Sequence, residues 1–137
     1  MDDARIAELL RGVQVIAVVG LSPNPERPSN QVAWYLRHVG YRLYGVNPLV
    51  EGPISGVPVV GELALVPERV DLVDVFRRPE HAPDLARAAA AVGARTLWLQ
   101  LGIRSAQAEA VAARAGLAYV EDRCLKVEHA RLVARAG

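Results

Sequence analysis

The chain has 137 residues, 52% hydrophobic and 23% charged, with a net charge of +1. This is enough apolar sequence for one domain over residues 1–137 without disulfides or metals, and too little net charge for a broad nucleic-acid-binding field, although a cluster of arginines could hold a small anion. Cys124 is the only cysteine, no run approaches the roughly 18 apolar residues of a membrane span, and Met1-Asp2-Asp3 has the wrong charge for a signal peptide, so an intramolecular disulfide, CxxC chemistry and a cysteine-rich metal site are excluded and a cytoplasmic location is expected.

Asp2 to Leu10 carries acids in its first turn and apolar residues at Ile6, Leu9 and Leu10, which predicts a helix ended by Gly12. Val15 to Val19 is apolar without alternation, as in a strand buried on both faces at the centre of a parallel sheet. Gly20 then allows a close backbone approach, and a loop of small, polar and Pro-rich residues leads to a helix start, with Ser29 or Asn30 expected as N-cap. Exposed amides at that helix start would face an anion held by the loop. Gln31 to Val39 continues as helix to Gly40.

Tyr41 to Val46 predicts the second strand, closed by Asn47-Pro48; the loop from Leu49 to Pro58 leads to a short edge strand near Val59, and Glu62 to Leu65 to a short helix or turn. Val70 to Phe76 predicts the third core strand and Pro83 to Val92 an Ala-rich helix before Gly93. Thr96 to Gln100 is the next strand, and a helix capped by Ser105 runs to Arg114 and ends at Gly116. Leu117 to Val120 is a last short strand and Val127 to Ala136 a last helix. The alternation predicts an α/β, Rossmann-like, doubly wound and mainly parallel sheet of about five strands with helices on both faces.

In such sheets a ligand lies outside the carboxyl ends of the strands, where strand order reverses. The unusual residues all follow strands: Gly20 to Asn30, Asn47-Pro48, Phe76-Arg77-Arg78-Pro79 and Gln100-Leu101-Gly102. A NAD site of Rossmann type usually has three glycines in the first loop and an acid after the second strand; here Gly20 stands alone and the second position is Asn47. A phosphate near the ribose is tolerated beside Asn47 and can pair with Arg27, Arg77 or Arg78, which suits an adenine nucleotide with several phosphates.

The segments VVGLSPNPERPSN, GYRLYGVNP, VDLVDVFRRPE, LWLQLGI and EDRCLKVEH, in this order from about Gln14 to His129, resemble the small stand-alone CoA-binding proteins. Their domain is similar to the N-terminal CoA-binding domain of the succinyl-CoA synthetase alpha subunit. The resemblance implies a Rossmann-like fold holding coenzyme A. It further implies a pyrophosphate cradle of Gly20, Leu21, Ser22, Pro23 and Asn24 with Arg27 and Ser29. Asn47 and Pro48 would border the adenosine; Val75, Phe76, Arg77 and Arg78 would line the adenine side and its phosphates; Gln100 and Gly102 would lie toward the pantetheine arm. The synthetase's second domain, which supplies its phosphorylated histidine, has no counterpart here, so binding is implied and the ligase reaction is not.

Outside these loops, His38, His81 and His129 lack the spacing of metal ligands or a triad. Cys124, between Arg123 and Lys126, reads first as a small buried hydrophobe, with a thiol facing the crevice as the alternative. Asp71 is expected as a strand-start polar residue and Asp74 as a hydrogen-bonded partner of a neighbouring helix or loop; alternation puts them on opposite faces, against a paired-carboxylate mechanism. Trp34 and Trp98 read as packing residues.

The expected function is therefore binding of CoA or an acyl-CoA without an assigned catalytic residue, with no metal, nucleic acid or membrane. An NAD(P)-dependent oxidoreductase or redox sensor on the same fold is the alternative. An interaction or regulatory subunit that reads CoA, with a protein partner or a second copy, is a third.

Overall fold

The computed structural model describes residues 1–134. Its centre is a six-stranded sheet in the order β3-β2-β1-β4-β5-β6, with β1 at Val15–Val19, β2 at Arg42–Val46, β3 at Val59–Val60, β4 at Leu72–Val75, β5 at Thr96–Leu99 and β6 at Ala118–Val120. All five pairings are parallel, so the doubly wound Rossmann-like arrangement is as expected. The strand beyond the expected five is the two-residue β3, which pairs with Gly45 and Val46 at the sheet edge.

The helices are α1 at Asp3–Gly12, α2 at Pro28–His38, α3 at Ala82–Ala91, α4 at Ala106–Ala115 and α5 at Leu125–His129. α5 starts earlier than Val127 and runs on as a π-helical segment, Ala130–Ala134; the end of the expected helix, at Ala136, lies outside the described residues. Local sequence explains the ends of α1 and α4. The Asp2 carboxylate accepts from the Arg5 N–H at 2.8 Å, the Ser105 hydroxyl oxygen from the Ala108 N–H at 3.0 Å, and Gly116 closes α4 in the left-handed region at φ 75°.

Every residue of β1 is buried, and alternate residues feed two separate layers. Val15, Ala17 and Val19 join Val73, Val75, Leu97 and Leu99 beneath α3 and α4, whose inward positions are alanines such as Ala86, Ala89, Ala108 and Ala112. Ile16 and Val18 join Leu72 and Trp98 beneath α1, α2 and α5. Burial on both faces is why β1 shows no alternation in sequence. Gly45, inside β2, is a packing requirement: a Cβ there would lie 2.7 Å from Leu21 Cδ2, so the glycine makes room for the wholly buried Leu21.

The structure corrects three expectations. The N-cap of α2 is Arg27, with Pro28 in the first turn, and not Ser29 or Asn30. Both are buried inside the helix and turn their side chains back to the preceding loop, a non-local role that their N-cap preference hides. Trp34 is not a packing residue: it is 58% exposed and stacks on His38, ring centroids 3.8 Å apart, whereas Trp98 is fully buried with its Nε1 donating to the Arg123 carbonyl at 2.8 Å. Asp74 is fully buried, and neither carboxyl oxygen has a hydrogen-bond partner. Asp71 does act at a strand start, where one carboxylate oxygen accepts from the N–H groups of Gln14 and Val15, both at 3.0 Å.

Candidate functional site

Strand order reverses between β1 and β4, with β2 on the other side of β1 and β5 on the other side of β4, so the loops after β1, β2, β4 and β5 gather at one rim. The loop after β1 is wound on its own short polar side chains. Ser29 Oγ accepts from the Ser22 N–H at 2.9 Å, Ser22 Oγ from Asn24 at 3.1 Å and Asn24 Oδ1 from Glu26 at 3.0 Å, while Asn30 Nδ2 donates to the Ser22 carbonyl at 2.9 Å. This alters the expected anion cradle. The amides of Ser22, Asn24, Glu26 and Arg27 are already bonded within the loop, and in the first turn of α2 Pro28 has no N–H while Asn30 and Gln31 bond to the Arg27 carbonyl. The loop is rigid, and its free cationic group is the Arg27 guanidinium, which makes no hydrogen bond or ion pair among the described residues.

Gly20 is where the strand ends must approach closely. Its φ is +88°, and a Cβ there would sit 2.7 Å from the Phe76 carbonyl oxygen and 3.2 Å from Arg77 Cδ. Asn47 braces two loops: its Nδ2 donates to the Leu21 carbonyl at 3.0 Å and its Oδ1 accepts from the Leu49 N–H at 3.0 Å. Leu21 and Val75 are wholly buried, so at the rim they offer backbone only.

After β4, Arg77 has no acidic partner among the described residues, and Arg78 has only a 3.9 Å contact with Glu80 on the exposed surface. Such a contact is worth little and is easily exchanged for a ligand phosphate. Arg77 sits at a mainly apolar cleft of about 360 Å³ that also includes Val19, Val46, Pro48, Leu63 and Leu85. Sequence reading supplied Pro48 and Arg77 but missed Leu63 and Leu85, which reach the cleft from a 3-10 turn (Leu63–Leu65) and from α3. Nothing in their local pattern marks them, because the cleft exists only once α3 crosses back over the sheet.

Gln100 and Gly102 lie outside this cleft, on the far side of β4. The buried Gln100 accepts at Oε1 from the Leu125 N–H at 3.1 Å, which brings it to the start of α5, where the half-buried Cys124 is N-cap. The Gly102 N–H donates to Asp122 Oδ1 at 2.7 Å, and this bond, with the Arg104 guanidinium, holds the Asp122 carboxyl below its ordinary range. The candidate residues thus form two groups: a mainly apolar cleft at the β1–β4 reversal, lined by Arg77 and also by the acids Glu62 and Asp84, and the polar residues that follow β5.

Three larger depressions lie elsewhere, among them one of about 520 Å³ beside Arg11, Gln14, Arg42 and His129. Another, of about 530 Å³, runs between α4, β6 and α5, but its cations are paired, Arg104 with Asp122 at 2.6 Å and Arg123 with Glu128 at 3.7 Å. A further one, of about 500 Å³, lies at the amino edge beside Arg5, Asp71 and Arg95, where Asp71 is committed to Gln14 and Val15. Among the described residues no three of His, Cys, Asp and Glu come together as metal ligands, and no helix is long and apolar enough to cross a membrane.

The sequence model described as a CoA binding domain matches residues 14–130. The chain belongs to the CoA-binding domain family. Within the family it is 35% identical over 127 residues to the uncharacterized protein YneT of Bacillus subtilis strain 168, covering 93% of each chain. Among solved structures it resembles cell-free ID.343 from Thermus thermophilus, at 40% identity and a TM-score of 0.91 over 96% of this chain and 99% of that one. It also resembles a hypothetical protein from Pyrococcus horikoshii OT3, at 35% identity and a TM-score of 0.93 over 97% of this chain and 93% of that one. The matched span of the family model includes every rim loop described above.

Proposed function

We propose that the protein binds coenzyme A or an acyl-CoA at the carboxyl rim, as a binding or regulatory protein without a catalytic residue of its own. The observation that carries this proposal is Arg77, a cation without an acidic partner among the described residues, at an apolar cleft beside the strand reversal. An adenine ring fits the apolar wall, and phosphates fit the guanidinium groups of Arg27, Arg77 and Arg78, which can pair with them in bidentate fashion. With so many loop amides satisfied internally, the arginines carry more of the phosphate contact than the amides of a glycine-rich loop would. The pantetheine arm would cross β4 toward Gln100, Gly102 and Cys124. The pyrophosphate would rest on the loop from Gly20, Leu21, Ser22, Pro23 and Asn24 to Ser29, with Asn47, Pro48, Val75 and Phe76 bordering the nucleotide.

Titration calorimetry with CoA, 3′-dephospho-CoA and NAD at one salt concentration tests this. CoA should bind most tightly, and both loss of the 3′-phosphate and an Arg77→Ala, Arg78→Ala double variant should weaken it. NAD binding as tight as CoA would sink the proposal in favour of an NAD(P)-dependent oxidoreductase.

A further inference from the structure

Asp74 lies in a row across the sheet in which Val18, Asp74, Trp98 and Val120 are register partners on β1, β4, β5 and β6. Every other member is apolar and buried, and both Asp74 oxygens lack a partner. The side chain lies on the face shared by Leu72 and Trp98, beneath α1, α2 and α5. The apolar residues those elements pack there are Ile6 and Leu10 from α1, Val32 and Leu36 from α2, and Leu125 from α5. The titratable groups on the packed elements are the half-buried Tyr35, Tyr41 and Cys124 and, on α5, the buried Glu128 and His129; Glu128 accepts from Arg131, His129 meets the Tyr35 hydroxyl, and none of them bonds to Asp74, whose carboxyl burial raises well above its ordinary range. Burial without a partner therefore favours the neutral acid over the carboxylate.

Two residues further along the same strands come Gly20, Phe76 and Gln100, about 7 Å above the Asp74 row by strand rise. These residues belong to the rim proposed above to bind the ligand. Phe76 accepts Gly20's close approach, and Gln100 holds the start of α5. An apolar side chain would fill the lower row without leaving two acceptors unpaired, so packing does not explain an acid there.

We propose that Asp74 is a proton-linked positioning residue for the rim: as a neutral acid it keeps the Gly20, Phe76 and Gln100 row in its ligand-competent arrangement, and on ionising it releases that row. A carboxylate in this apolar row must draw in water or a donor, and the rim side is where polar groups begin. The ligand half of this inference rests on the proposed binding of CoA; the proton linkage does not.

Three measurements on the whole chain test it, comparing the native protein with Asp74→Asn, which keeps the shape and cannot ionise. The native folding equilibrium constant should fall relative to the variant by up to tenfold per pH unit as pH rises above about 4, because the folded state holds the proton that the unfolded state has lost. Amide exchange at Phe76 and Gln100 should rise with pH more steeply in the native protein than in the variant. The native-to-variant ratio of CoA affinities should fall at alkaline pH, the ligand's own titration cancelling in the ratio.

A ratio constant from pH 5 to 9, with equal exchange at the rim, would overturn the positioning role even if stability differed. If CoA binds at no pH, the proposed function fails and the exchange comparison still decides the linkage. Carbon-13 titration of the Asp74 carboxyl in the native protein needs no variant; ionisation near pH 4 would overturn the inference outright.

Discussion

Asn47 Nδ2 donates to the Leu21 carbonyl oxygen at 3.0 Å, tying the loop after β2 to the loop after β1 across the mouth of the candidate site. Asn47 therefore shapes the rim from beneath, with its amide committed to protein partners at both ends. Asn47→Ala should lower stability by about 1–2 kcal/mol in urea denaturation, since two hydrogen bonds are lost at a half-buried position. Asn47→Asp should lower it further, because a carboxylate would face the Leu21 carbonyl with no donor between them. A stability for Asn47→Ala equal to that of the native protein would show that the brace contributes nothing.

Gly20 and Gly102 have nearly the same backbone, at φ +88° and +85°, but different surroundings. A Cβ at Gly20 meets the Phe76 carbonyl oxygen at 2.7 Å, while one at Gly102 meets nothing within 4 Å. Gly102→Ala should cost about 1 kcal/mol, the strain of a left-handed residue alone. Gly20→Ala should cost about 2 kcal/mol more, as the β1 and β4 ends are pushed apart. Thermal unfolding of the two variants separates backbone strain from steric contact.

His129 is buried between α2 and the turn before β2, with Nδ1 2.8 Å from the Tyr35 hydroxyl and edge-on contacts to Tyr35 and Tyr41. Burial lowers its pKa below the ordinary value of 6.5. The unfolded chain therefore binds a proton at a higher pH than the folded one does, so stability falls as pH drops below about 6.5 and levels off above it. His129→Gln should remove this acid-side loss. The readout is the difference in denaturation midpoint between native protein and variant from pH 5 to 8, because Asp74 tilts the native curve in the opposite sense.

The two tryptophans should report different environments. Trp98→Ala should cost about 3–5 kcal/mol as a large core cavity opens, with the Arg123 carbonyl losing its 2.8 Å donor. Trp34→Ala should cost less than about 0.5 kcal/mol, as an exposed surface change does. In Trp34→Phe the remaining fluorescence, from Trp98, should be blue-shifted and resistant to acrylamide. Easy quenching would contradict the burial of Trp98.

Where a feature depends on neighbours in sequence, the chain by itself determined it. The unbroken apolar run at Val15 to Val19, the caps at Asp2, Ser105 and Gly116, and the placement of Arg77 and Gln100 beyond strand ends all follow from local conformational preference and the rule that strand ends face one rim. Five ordered motifs likewise sufficed to point to the CoA-binding domain family, whose model spans residues 14–130.

Tertiary structure decided what depends on elements far apart in the chain. Ser29 and Asn30 are good N-caps in isolation, but a proline in the first turn and the path of the β1 loop make them fasteners for Ser22. Leu63 and Leu85 become cleft walls only when α3 packs over the sheet, and Trp34 is left outside because α2 turns Val32, Ala33 and Leu36 to the core. Asp74 reads as an ordinary polar residue in VDLVDVF. Only the register that sets it between Val18 and Trp98 removes both water and hydrogen-bond partners from its carboxyl, because burial is a property of what the folded chain brings from both sides, and no window of sequence contains it.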